Sequence, residues 1–167
     1  MVLVQQEGKM SKDDMQIFVV ERNKLFLGEN FEGFKSHAET DFESRISKNL
    51  KIMRRGNAEY DENHKQPIVY VLMINPKTKK IFGYQRANNE NNDEKRLWGK
   101  WSWGVGGHVE AIDSLGNPLR ESMLRELNEE IEIEGKMLKV LPVGYVNKEV
   151  GVEFFHFGIL KRGLLFF

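Results

Sequence analysis

Apolar and polar positions along the chain alternate with two different periods, and the change from one to the other marks out the elements. Met15 to Val20 is a short β-rich run; Glu21 to Lys24 interrupts it before Leu25-Phe26-Leu27, which predicts a hairpin. Residues 28–63 are mostly polar, with a helix expected over Asp41 to Asn49 and the basic pair Arg54-Arg55 after it. Pro67 to Ile74 is an almost continuous apolar strand, and Asn75 to Thr78 forms a turn into a second strand over Lys80 to Arg86, so a central hairpin is predicted. Ala87 to Lys95 reads as a solvated loop, and Leu97 to Val109 then packs three tryptophans and four glycines into thirteen residues. Beyond it the period lengthens: Leu119, Met123, Leu127 and Ile131 recur every four residues along one helical stripe. Asn117 is a suitable N-cap, Pro118 fits the first helical position, and Gly135 is the expected end. Leu138 to Val146 and Val152 to Leu160 read as strands that close a sheet.

Length and composition narrow the class. A chain of 167 residues, 40% apolar, suits one domain and a core that needs no disulfide or metal staple. Basic and acidic residues balance at 25 each, so no bulk field draws the protein to nucleic acid or to an anionic membrane. No run approaches the roughly 20 apolar residues that span a bilayer, and the N-terminus lacks the pattern of a signal peptide. With no cysteine, disulfides, thiolate metal sites and a cysteine nucleophile are excluded, which fits a cytoplasmic location.

The candidate chemistry lies on the predicted helix. Glu126, Glu129 and Glu130 are spaced i, i+3 and i+4, which brings the three carboxylates to one side of a helix, where they repel unless a cation neutralises them. Hard oxygen donors of this kind suit magnesium or manganese, although acidic helix faces are often simply solvated.

Two blocks extend that reading. Gly106-Gly107-His108-Val109-Glu110 precedes the helix and Arg125-Glu126-Leu127-Asn128-Glu129-Glu130 lies in it; together they resemble the signature of the Nudix hydrolases, G-x5-E-x7-R-E-U-x-E-E-x-G-U with U a bulky aliphatic. Gly107, Arg125, Glu126, Leu127, Glu129, Glu130 and Ile133 match, and the resemblance extends over about Pro67 to Leu160. It implies an α+β fold, an α/β/α sandwich on a mixed central sheet, with residues 67–167 as the Nudix core and 1–66 as an N-terminal extension that shapes substrate choice or dimerisation. It also implies a metal-dependent hydrolase that cleaves a phosphoanhydride bond of a nucleoside diphosphate-type small molecule by attack of water at phosphorus. By the same resemblance Gly107, Glu126, Glu129 and Glu130 hold Mg2+ or Mn2+; Glu129 or Glu110 is the general base; Arg125 orients a carboxylate; and Gly106, His108 and Arg86 line the substrate. A non-catalytic Nudix-like module that binds a nucleotide or sugar is the alternative. The isomerase branch of the fold, which typically protonates its substrate with a cysteine, is disfavoured by the composition.

Three departures stand out. Arg125 lies eighteen positions after Gly107 where the pattern has fourteen, so four residues are inserted, and either Asp113 or Asn117 takes the place of the first glutamate; Asp113 is preferred because Asn117 already caps the helix. Glu132 stands where the pattern has a glycine, which predicts a helix that continues to Gly135. No C-terminal helix is recognisable, and the apolar Leu164-Leu165-Phe166-Phe167 is expected to dock on the core or on a second subunit of a homodimer, unless the gene is truncated. Trp98, Trp101 and Trp103 offer faces for a base, with core packing expected for at least two of them. Arg54 and Arg55 are weaker phosphate candidates than Arg86.

Overall fold

The computed structural model of the chain describes residues 11–86, 98–132 and 136–166. In order they form β1 (Gln16–Glu21), α1 (Arg22–Phe26), β2 (Gly33–Ser36), α2 (Phe42–Asn49), β3 (Leu50–Arg54), α3 (Arg55–Ala58), β4 (His64–Ile74), β5 (Tyr84–Gln85), β6 (Trp101–Ser102), β7 (Val105–His108), α4 (Pro118–Glu130), β8 (Lys136–Asn147) and β9 (His156–Phe166). Six strands lie in the order β2-β8-β9-β4-β1-β3, and β7 joins β4 to complete a seven-stranded mixed sheet, while β5 and β6 form a separate pair. With α4 against the sheet, this is the α+β sandwich expected from the sequence.

β4 organises the molecule. It runs parallel to β9 from Gln66 to Ile74, antiparallel to β7 from Ile68 to Val71, and antiparallel to β1 at Lys65 and His64. Its alternation decides the two faces: Val69, Val71 and Met73 are at most 1% exposed and pack with Val105, Val109 and the α4 stripe of Leu119, Met123 and Leu127. Burying each large apolar side chain of that stripe contributes roughly 1.5–3 kcal/mol, enough to fix the rotation of α4 on the sheet. Ile68, Tyr70, Leu72 and Ile74 are half-buried on the opposite face.

Helix α4 starts as predicted, with Asn117 Oδ1 accepting from the Arg120 amide at 3.2 Å and Pro118 in the first turn. It does not continue to Gly135. The helix stops at Glu130, and Ile131, at φ −142°, turns the chain into extended backbone while its N–H still reaches the Leu127 carbonyl. Glu132 therefore needs no left-handed conformation; Gly135 lies outside the described residues.

The hairpin expected over Met15 to Leu27 is replaced by a strand and a helix. Leu25 and Phe26 are adjacent and both buried, which one strand cannot achieve against a single face, whereas a helical turn presents both to the core. Phe26 meets Phe42 of α2 edge-on at 6.2 Å, and β1 pairs instead with β3 and β4. The central hairpin is likewise reduced. Asn75 Oδ1 accepts from the Lys77 and Thr78 amides and builds the turn, but only Ile81 bridges back to Ile74 before the chain leaves to pair Tyr84 and Gln85 with β6. The edges of β4 are already taken by β9 and β7. The loop expected over Ala87 to Lys95 lies outside the described residues. At the other end, residues 152–155 form a 3-10 turn rather than a strand, and Leu164, Leu165 and Phe166 continue β9. Among the described residues no helix is long and apolar enough to cross a membrane.

Candidate active site

β7 delivers the glycine pair to the N-terminal half of the site and α4 delivers the carboxylates. Gly106 pairs with Tyr70 and Gly107 with Val69 across to β4. A Cβ on Gly106 would lie 1.8 Å from the Val69 carbonyl oxygen, so any side chain there would break the ladder. A Cβ on Gly107 would lie 2.3 Å from Oε1 of Glu126, so the glycine lets the strand and the carboxylate come together.

Arg125 gathers the acids. Its Nε and one terminal nitrogen donate to the two oxygens of Asp113 at 3.0 and 3.1 Å, and the same terminal nitrogen donates to the His108 carbonyl at 3.0 Å. The other terminal nitrogen donates to Glu126 at 2.9 Å and Glu129 at 3.3 Å, and lies 3.4 Å from Glu110. Asp113, only 4% exposed, also accepts from the Glu110 amide at 2.8 Å, which closes the 3-10 turn over Ala111–Ser114. Ser122 donates to the His108 carbonyl from α4 at 3.2 Å, so loop and helix are tied twice.

Of the three glutamates, Glu126 is nearly buried, while Glu129 and Glu130 are exposed. Burial pushes the Glu126 carboxyl above its usual range against the pull of Arg125, with Glu130 and Glu129 adding repulsion. Glu110 is raised in the same way, by burial and by the neighbouring charges of Asp113 and Glu129. Glu130 is also raised by desolvation, although Arg86 and a hydrogen bond with Tyr84 oppose it. Burial works against the Arg125 charge, but the Asp113 hydrogen bond and the surrounding carboxylates hold its pKa above the ordinary value.

Arg86 faces Glu130 and lies 5.8 Å from the Tyr84 ring, so the segment from Tyr84 to Arg86 borders the acidic face of α4. Tyr84 was not among the residues singled out from sequence; nothing in an isolated tyrosine on a short strand signals that it will meet a helix 46 positions later. His108 is placed differently from the glycines. Strand alternation puts its ring on the face opposite the Gly107–Glu126 contact, where Nε2 lies 2.7 Å from Oε1 of Gln66 and the ring meets His156 edge-on. Trp101 and Trp103 are 67% and 64% exposed, so the expected core packing of at least two tryptophans is not found among the described residues, where β6 pairs with β5. Arg54 pairs with Asp14 at 2.7 Å and Arg55 with Glu59 at 3.5 Å, and the Arg55 charge also acts on Glu110.

A family model for the NUDIX domain matches residues 64–160, more than half of the chain. The chain belongs to the Nudix family. It is 35% identical over 161 residues to the Bacillus subtilis (strain 168) protein YmaB, covering 91% of this chain and 76% of that one. The crystal structure of Tm1382, described as a candidate Nudix hydrolase, superimposes with a TM-score of 0.69 at 25% identity, covering 91% of this chain and 77% of that chain. Nudix membership makes the protein a hydrolase acting on phosphorus-containing anhydrides in small-molecule substrates, in a family that generally uses divalent metal ions.

Proposed function

We propose that this Nudix protein cleaves a phosphoanhydride bond of a nucleoside diphosphate-type substrate at the face of α4, with Glu126, Glu129, Glu130 and the Gly107 carbonyl holding Mg2+ or Mn2+. The observation that carries the reading is the single Arg125 side chain that collects Glu126, Glu129, Glu110 and Asp113 beside the glycine strand. The donor set fits such an ion: hard oxygens alone, a glycine whose missing Cβ leaves room for the Glu126 carboxylate, and further carboxylates gathered around one arginine. When bound, the ion supplies charge neutralisation of the diphosphate and activation of water.

The protein groups do the rest. Arg125 holds Glu126 and positions it, with Asp113 in the place of the first acidic residue of the Nudix pattern. Glu129 or Glu110 takes the proton from the attacking water, both being within reach of Arg125 and so restrained on the same side. Arg86 meets phosphate oxygens from the Tyr84 side, and the exposed Trp101 and Trp103 supply faces on which a base stacks.

The test is a panel of nucleoside di- and triphosphates, dinucleotide polyphosphates and nucleotide sugars incubated with Mg2+ or Mn2+, with phosphate and nucleotide products measured. Release of product that stops on chelation supports the reading. Tight binding of a panel member with no turnover under any metal would replace it with a binding module.

A further inference from the structure

Glu59, His108 and His156 come together on the sheet face opposite the α4 carboxylates, although they lie 49 and 48 positions apart in the chain. Each offers one ligand atom, and these atoms lie within 4.8 Å of one another. We propose that they form a second metal site, distinct from the α4 carboxylates, that takes Zn2+ or another borderline transition ion through two imidazoles and one carboxylate.

Several observations point the same way. Nε2 of His156 is buried and has no hydrogen-bond partner among the described residues, and Oε2 of Glu59 stands 4.0 Å from it. That separation is too long for a hydrogen bond but suits two donors on one ion, since metal bonds of about 2.0–2.2 Å let a cation sit between atoms roughly 3.4–4 Å apart. The third donor is prepared by a neighbour. With Nε2 of His108 donating to Oε1 of the fully buried Gln66 at 2.7 Å, Nδ1 carries the free lone pair, the arrangement by which ligating histidines are commonly fixed in tautomer and direction. Glu59 is steadied from its other side, Arg55 Nε lying 3.5 Å from Oε1 and leaving Oε2 turned to the histidines.

The donor chemistry separates this site from the other. Imidazole nitrogen favours zinc, cobalt or nickel over magnesium, whereas the α4 set is all oxygen. The placement also implies a role: Glu59 caps α3, His108 ends β7, and His156 opens β9, so an ion here ties α3 to two strands of the sheet. His108 would then act in metal binding on the far face rather than on a substrate phosphate. Nothing in this inference depends on the hydrolase reading.

The experiment is zinc titration of the metal-free full chain in saturating Mg2+, which occupies hard oxygen sites, read by NMR of the histidine ring signals. The chain has four histidines, so His37 and His64 serve as internal references. Stoichiometric zinc should move the His108 and His156 signals and leave the other two in place. His156→Ala should weaken zinc by about 100-fold, and the milder Gln66→Met by about tenfold, while Glu129→Gln and Glu130→Gln leave it unchanged. Zinc that leaves the His108 and His156 signals of the wild-type chain unmoved would overturn the proposal, whatever the variants do. So would zinc affinity that falls with Glu129→Gln but not with His156→Ala.

Discussion

Arg125 holds Asp113 through both carboxylate oxygens, at 3.0 and 3.1 Å, and the pair closes the four-residue insertion that separates this chain from the usual Nudix spacing. Asp113 is almost fully buried, so its removal leaves a guanidinium without its principal partner in a protein interior. Asp113→Ala is expected to cost about 3–5 kcal/mol in stability, the range for breaking a buried pair. Asp113→Glu, which keeps the charge, should recover part of it. Urea denaturation of the three proteins measures this, and an Asp113→Ala variant as stable as the parent would show that the pair does not hold the loop.

The two glycines of β7 should respond differently to alanine. At Gly106 the new Cβ meets backbone, the Val69 carbonyl, which cannot move without loss of the β4–β7 ladder. At Gly107 it meets the end of the Glu126 side chain, which can swing away. Gly106→Ala is therefore expected to lower the melting temperature strongly, whereas Gly107→Ala should keep most of the stability and lose most of the turnover. Paired melting curves and rates give the comparison; equal melting losses would contradict it.

Lys65 predicts a pH dependence. It is fully buried, its Nζ donates to the Lys148 and Phe154 carbonyls, and burial lowers its pKa from 10.5 to about 8 against the pull of Glu149. The folded state thus binds the proton less tightly than the unfolded chain does. Below about pH 8 both states are charged and the burial penalty is felt in full; between about 8 and 10.5 the folded state sheds the proton first, so stability rises with pH in that window. At about 1.4 kcal/mol for each tenfold change in proton affinity, the rise is worth roughly 3 kcal/mol. Lys65→Met should lack it, and the difference in unfolding free energy between the two proteins, followed from pH 7 to 10.5, measures it. A flat difference would place the pKa of Lys65 near its ordinary value.

What the sequence made legible was local. The Asn117 cap, the stripe from Leu119 to Leu127 and the spacing of the glutamates are all written within a few turns of one helix, and the helix forms where they place it. The end of α4 is expected at Gly135 because Glu132 replaces a helix-ending glycine and Ile131 extends the apolar stripe, yet the chain leaves the helix at Ile131 in extended backbone, which needs no glycine. Strand partners were less legible still. β4 looks like half of a hairpin from its own residues, and only the fold shows that its partner is β9, some 90 positions on. His108 illustrates the same limit at the site: beside two glycines it resembles a phosphate-contacting loop residue, yet the alternation of β7 turns its ring to the other face, towards a histidine that sequence gives no reason to pair with it.

In the proposed function the α4 glutamates hold the ion on which hydrolysis depends. Its most direct test is the Mg2+-dependent turnover of Glu129→Gln and Glu130→Gln on whichever diphosphate the wild-type chain cleaves best, each variant first shown by melting to be folded. Both side chains are exposed, so folding should survive either change. Turnover should fall by orders of magnitude in each; full activity in both would remove these glutamates from the metal site.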